Sequence, residues 1–161
     1  MKTEWQSLKQ VRGCLLTGIY ANQLHVRDDL VLFSSEYILK IKNPDTLKSW
    51  YWNVNWFEDG DSDDYLVIKE QETPEPLNYL NEPDLSPHQK HFIISSLFSF
   101  EDNLIKTASG YGFKNKNIEI LSTLVFEFEE SYLLIKTGPV IEARITKMKP
   151  NNLGAFIFSC D

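Results

Sequence analysis

Leu47-Lys48-Ser49-Trp50-Tyr51-Trp52-Asn53-Val54-Asn55-Trp56-Phe57 alternates without a break. Trp50, Trp52, Val54 and Trp56 fall on one side of an extended chain, and Ser49, Tyr51, Asn53 and Asn55 fall on the other, because successive side chains of a strand point to opposite faces. A helix would scatter the tryptophans around its circumference, so the segment reads as a strand with one buried face and one wet face. Three tryptophans and a valine on one face are core material rather than a stacking platform for sugars or bases. Tyr51, Asn53 and Asn55 are the better candidates for recognition.

Outward from this strand, Asn43-Pro44-Asp45 makes a turn on one side and Glu58-Asp59-Gly60-Asp61-Ser62-Asp63-Asp64 an acidic loop on the other. Tyr65 to Lys69 pairs back across that loop. Further strand-like runs are Cys14 to Ala21, Leu30 to Ser34, Tyr37 to Lys42, Leu104 to Tyr111, Ile118 to Glu129, Ser131 to Lys136, Val140 to Met148 and Ala155 to Ser159. Two helices are expected. Thr3 with Gln6 forms a capping box ahead of Trp5, Leu8 and Val11 at helical spacing, which predicts a helix from Glu4 to Arg12 with Gly13 as its stop. Ser86-Pro87-His88-Gln89 reads as the start of the second, because Ser caps and Pro tolerates the first position. Residues 70 to 87 hold four of the seven prolines and read as a linker or long loop.

The expected fold is therefore α+β, mainly antiparallel sheet with two short helices. The chain divides into an N-terminal half (1–70), a Pro- and acid-rich connection (71–87) and a C-terminal half (88–161), packed as one domain of 161 residues. Phe33, Tyr37, Leu39 and Pro44 match Phe128, Tyr132, Leu134 and Pro139 without a gap, which raises the expectation of two similar α-β-β-β halves.

Charge is distributed unevenly. Residues 58 to 84 carry ten of the 23 acidic side chains and one of the 16 basic ones, so this stretch exceeds the whole chain's net charge of -7. Such a field steers encounters with cationic partners and disfavours nucleic acid and anionic membranes. Met1 to Ser7 has no apolar run of signal-peptide length, and nowhere do eighteen apolar residues run together. Cys14 and Cys160 sit in apolar stretches as two lone thiols, which fits a reducing compartment. The expected location is the cytoplasm.

Chemical motifs do not assemble. Asp59, Asp61, Asp63 and Glu70 have calcium-loop spacing, but Asp64 stands where the sharp turn needs Gly and the flanks read as strands. His88 and His91 lie one helical turn apart without further ligands, and His25 is alone. Gly110-Tyr111-Gly112 lacks the rest of a phosphate-binding loop. Glu127 and Glu129 share a strand face and read as a solvent-facing edge rather than an acid/base pair. No catalytic set, metal or cofactor is expected. A small acidic chain of this kind resembles, in type and without a diagnostic motif, the immunity proteins that bacteria pair with toxins. That resemblance implies an inhibitor covering a basic partner. The site then expected is Glu58, Asp59, Asp61, Asp63 and Asp64 for charge, with Tyr51, Asn53 and Asn55 beside them. The competing readings are a small-molecule binding domain with an apolar pocket near Phe33, Tyr37, Phe128 and Tyr132, and an enzyme with an unrecognised site. Apolar edge strands are compatible with a homodimer under any of these.

Overall fold

Alternating strands with turn residues between them build two stacked antiparallel sheets. The computed structural model describes residues 7–21, 25–27, 31–58, 64–73, 103–138 and 140–160. Eleven strands run through the described residues: β1 (Leu15–Ala21), β2 (His25–Arg27), β3 (Val31–Ser34), β4 (Tyr37–Lys42), β5 (Ser49–Glu58), β6 (Asp64–Gln71), β7 (Thr107–Lys114), β8 (Glu119–Glu127), β9 (Tyr132–Lys136), β10 (Ile141–Thr146) and β11 (Ala155–Ser159). One sheet has the order β1-β4-β5-β6, and the other β11-β7-β8-β9-β10-β3-β2.

The described residues contain no helix, so the α+β expectation with two short helices is overturned in favour of an all-β fold. Ser7 to Arg12, the described part of the expected first helix, runs as turn and irregular chain. Its backbone is captured by distant partners: Lys9 N–H donates to a Glu70 carboxylate oxygen at 2.9 Å, and Val11 N–H to the Cys160 carbonyl at 3.4 Å. A nine-residue helix is marginal in water because nucleation is costly, and tertiary bonds of this kind outcompete it. The expected second helix, with His88 and His91, and most of the 71–87 connection lie outside the described residues.

Two similar α-β-β-β halves are also not what forms. β2 and β3 leave the first sheet and pair into the second, where β3 lies against β10. Tyr37 and Leu39 face the core from β4, whereas on β9 the core residues are Leu133 and Ile135, which turns Tyr132 and Leu134 to the other face. The matched residues thus occupy opposite sides of their strands.

One buried cluster joins the inner faces of both sheets. Trp52 of β5 meets Phe126 of β8 with ring centroids 5.8 Å apart, and Phe126 stacks on Phe128 at 6.5 Å. The Tyr37 hydroxyl crosses from one sheet to the other and donates to the Ile141 carbonyl at 2.9 Å. Burial pushes the Tyr37 phenol far above its ordinary value, and Glu142 nearby adds to this, while a backbone hydrogen bond at Ser34 works the other way. Trp50 and Trp52 belong to the cluster, with Trp56 packed at its border. Their burial follows the alternation of the sequence.

The sheets are stitched at one seam. Gly13 N–H donates to the Ile105 carbonyl at 2.9 Å, Ile105 N–H to the Cys14 carbonyl at 2.8 Å and Leu16 N–H to the Asn103 carbonyl at 3.0 Å. Cys160 N–H closes the row on the Ala108 carbonyl at 2.8 Å. Cys14 and Cys160 are buried and not in disulfides, and burial raises the Cys14 thiol, with Asp45 reinforcing the shift. Gly112 marks a bulge in the β7–β8 pairing, where a side chain would collide with the Ile120 backbone carbonyl.

Candidate binding surface

The β5–β6 hairpin presents its wet face away from the core. Across it, Asn53 pairs with Lys69, Asn55 with Val67, Phe57 with Tyr65 and Tyr51 with Gln71. Glu36 joins them from the corner between β3 and β4. That corner is held by Ser34, whose hydroxyl donates to the Glu36 carbonyl at 2.9 Å and accepts from the Glu36 N–H at 3.4 Å.

One Glu36 carboxylate oxygen then accepts from Asn53 Nδ2 at 2.8 Å and from Asn55 Nδ2 at 3.3 Å. Asn55 Oδ1 accepts from the Trp56 N–H at 2.8 Å, which fixes its amide. The carboxylate is therefore oriented by two amides, themselves on a rigid strand. Around it lies a groove of about 410 Å³ lined by Glu36, Asn53, Asn55, Phe57, Val67, Lys69 and Gln71. Gln71 Oε1 is buried without a hydrogen-bond partner among the described residues. Phe57, 52% exposed, stacks on Tyr65 with centroids 6.3 Å apart at the outer end of the groove. An exposed aromatic pair beside carboxylates suits guanidinium or ammonium groups, which bind both ring faces and anions.

Beyond the aromatic pair the hairpin ends in Glu58 directly opposite Asp64. Like charges facing each other across a ladder repel, and neither residue has an ion pair with the described residues. Asp59, Asp61 and Asp63 lie outside the described residues. Of the other acids in this stretch, Glu70 faces inward and accepts from Trp52 Nε1 at 2.9 Å, and Glu72 lies past the far end of β6. At about 3.4 Å per residue, Glu72 stands some 27 Å of extended chain from Asp64. Among the described residues, the acids of this stretch thus lie at the two ends of the hairpin.

Among the sequence-derived site residues, Asn53 and Asn55 meet in the groove and Glu58 and Asp64 meet at the tip. Tyr51 lies one row away. Burial raises the Tyr20 phenol, and Tyr51 reinforces that shift electrostatically. Glu36, Lys69 and Gln71 complete the groove without having been singled out in the sequence. Asn53 and Asn55 on the outward register were the one available signal, since buried-side amides would have needed partners within the core.

The remaining candidates have structural explanations. Lys106 Nζ lies 3.9 Å from Glu127 and 3.8 Å from Glu129, so one ammonium group is shared by both carboxylates on the surface. Gly110 lies under the Phe158 ring inside β7. Tyr37 and Phe128 are 0% and 1% exposed in the core, and the groove is lined by neither. No group of three His, Cys, Asp or Glu among the described residues is placed to hold a metal ion. No helix among them is long and apolar enough to cross a membrane. In comparisons with known proteins, no family model matches the chain, no curated protein matches it, and no solved structure matches it.

Proposed function

We propose that this chain is a non-enzymatic protein-binding domain that engages a basic partner through the tip and outer face of the β5–β6 hairpin, in the manner of an inhibitor or immunity protein. The carrying observation is the facing pair Glu58 and Asp64, which has no ion pair with the described residues at the end of the β5–β6 strand pair. Opposed like charges cost stability, and a lysine or arginine from a partner would relieve the repulsion and gain charge-assisted hydrogen bonds. Phe57 and Tyr65 supply the adjoining aromatic contact, and the amide-held Glu36 a second anchor within the same groove. Aromatic anchors beside complementary charge are the usual energetic centre of a protein interface.

The test compares the wild-type chain with a variant carrying Glu58→Gln, Asp64→Asn and asparagine at 59, 61 and 63. Both are immobilised and exposed to proteins of the source cell at low and high salt. A basic protein retained by the wild type, released by salt and lost by the variant is the expected result. Its association rate should fall by about 10-fold or more and lose its salt dependence. Equal stability with equal retention by both proteins refutes the proposal.

A further inference from the structure

A second recess lies at the opposite end of β5, where the Ser7–Arg12 segment passes the β4–β5 turn. It encloses about 620 Å³ and is lined by Lys9, Gln10, Asn43, Thr46, Lys48, Ser49, Trp50 and Glu72. That is the size range of small-ligand sites. The turn uses up acceptors and leaves donors. Asn43 Oδ1 already accepts from the Asp45 N–H at 2.8 Å and the Thr46 N–H at 3.2 Å, which leaves its amide NH₂ group. Thr46 Oγ1 accepts from the Lys48 N–H at 3.3 Å, which leaves its hydroxyl proton.

Two ammonium groups join these donors, with the Glu72 carboxylate in the lining and the Glu70 carboxylate beside it on the Lys9 N–H at 2.9 Å. The Lys9 ammonium lies 5.3 Å from the centre of the Trp50 ring, so that cation is positioned by the aromatic face. The Lys48 ammonium has no ion pair with the described residues. Leu47, between the lining residues Thr46 and Lys48, is held at φ 62° and is 67% exposed. A bulky side chain rarely adopts that backbone conformation, and such strain gathers at ligand sites. Trp50 itself is 7% exposed, and its indole N–H is buried without an acceptor among the described residues.

We propose that this recess binds a small anion, a carboxylate or a phosphate ester, through Lys9, Lys48 and the amide and hydroxyl donors of the β4–β5 turn. A donor-rich wall carrying two ammonium groups is matched by oxyanions, whose oxygens accept several charge-assisted bonds at once. The site is separate from the hairpin tip, so it stands or falls independently of the partner described above.

The test is titration of the full chain with inorganic phosphate and, separately, with citrate, each against sodium chloride at matched ionic strength. The Trp50 indole N–H resonance, assigned with Trp50→Phe, reports occupancy. The expected result is a saturable shift with at least one of the two anions and none with chloride. Response to phosphate alone identifies a phosphate ester as the ligand class, and response to citrate alone a carboxylate. Lys48→Gln should weaken binding by about 10-fold or more with an unchanged melting temperature, while Lys116→Gln on a distant hairpin should change nothing. Lys9→Gln should weaken binding similarly. No saturable response to either anion, a matching response to chloride, or wild-type affinity in Lys48→Gln overturns the proposal.

Discussion

Tyr37→Phe isolates a single hydroxyl that spans the two sheets. At neutral pH the variant loses one buried hydrogen bond and leaves the Ile141 carbonyl short of a donor, which should cost about 1–2 kcal/mol. For a chain of this length that is a fall in Tm of roughly 2–8 °C. The pH dependence makes the test specific. The folded state holds the phenol neutral well above its ordinary value, whereas the unfolded chain ionises it near pH ~10. The unfolded state therefore binds fewer protons above that pH, and the contribution of Tyr37 is intact below it. From there upward, wild-type stability should fall by about 1.4 kcal/mol per pH unit through this residue. Tyr37→Phe lacks that slope. The wild-type advantage seen at pH ~7 should thus shrink to about zero near pH ~11. Urea unfolding at both pH values, with unchanged m-values, measures the difference. A stability gap of equal size at the two pH values would refute the buried, neutral hydroxyl.

Three other substitutions probe separate features. Glu70→Ala removes the acceptor of the Trp52 indole and of the Lys9 N–H; it should cost about 1–3 kcal/mol in chemical denaturation, and hydrogen exchange at Lys9 should accelerate. Leu47→Gly relieves a left-handed backbone at an exposed position; it should be neutral or stabilising by up to about 1 kcal/mol by thermal melting. Gly112→Ala drives a methyl group into the Ile120 carbonyl; a loss of about 3 kcal/mol or more, or failure to accumulate folded protein, is expected.

Local pattern was readable, and long-range pairing was not. The alternation placed Trp50, Trp52 and Val54 correctly in the core, with Trp56 at its border, and β4 and β11 follow the expected bounds of Tyr37 to Lys42 and Ala155 to Ser159. The β7–β8 turn is closed locally, with Asn115 Oδ1 accepting from the Asn117 and Ile118 N–H groups at 2.9 and 2.8 Å. The helix expected at Glu4 to Arg12 fails in its described part because Trp5, Leu8 and Val11 recur at a spacing that also suits an irregular segment with one apolar side. What decided the outcome was Cys160 and Glu70, remote in sequence. β2 is three residues long and left no periodicity to detect. Glu36 escaped notice for a similar reason. Its role depends on the β3–β4 corner bringing it beside Asn53 and Asn55, a placement that no local window contains. Lys9 and Lys48 were likewise unremarkable until the chain brought them to one recess.

The seam between residues 11–16, 103–105 and 160 has a consequence for biogenesis. Val11, Gly13 and Leu16 emerge early from the ribosome, yet the carbonyls their amides bond belong to residues 103, 105 and 160. β3 must wait in the same way for β10. The β4-β5-β6 meander can pair as soon as it is made, but its tryptophan face has nothing to cover it until β8 arrives. Translation at tens of residues per second or fewer leaves that face bare for seconds. A nascent chain of this design should lean on holdase chaperones, and closure of its seam awaits the emergence of residues 103–105 and 160.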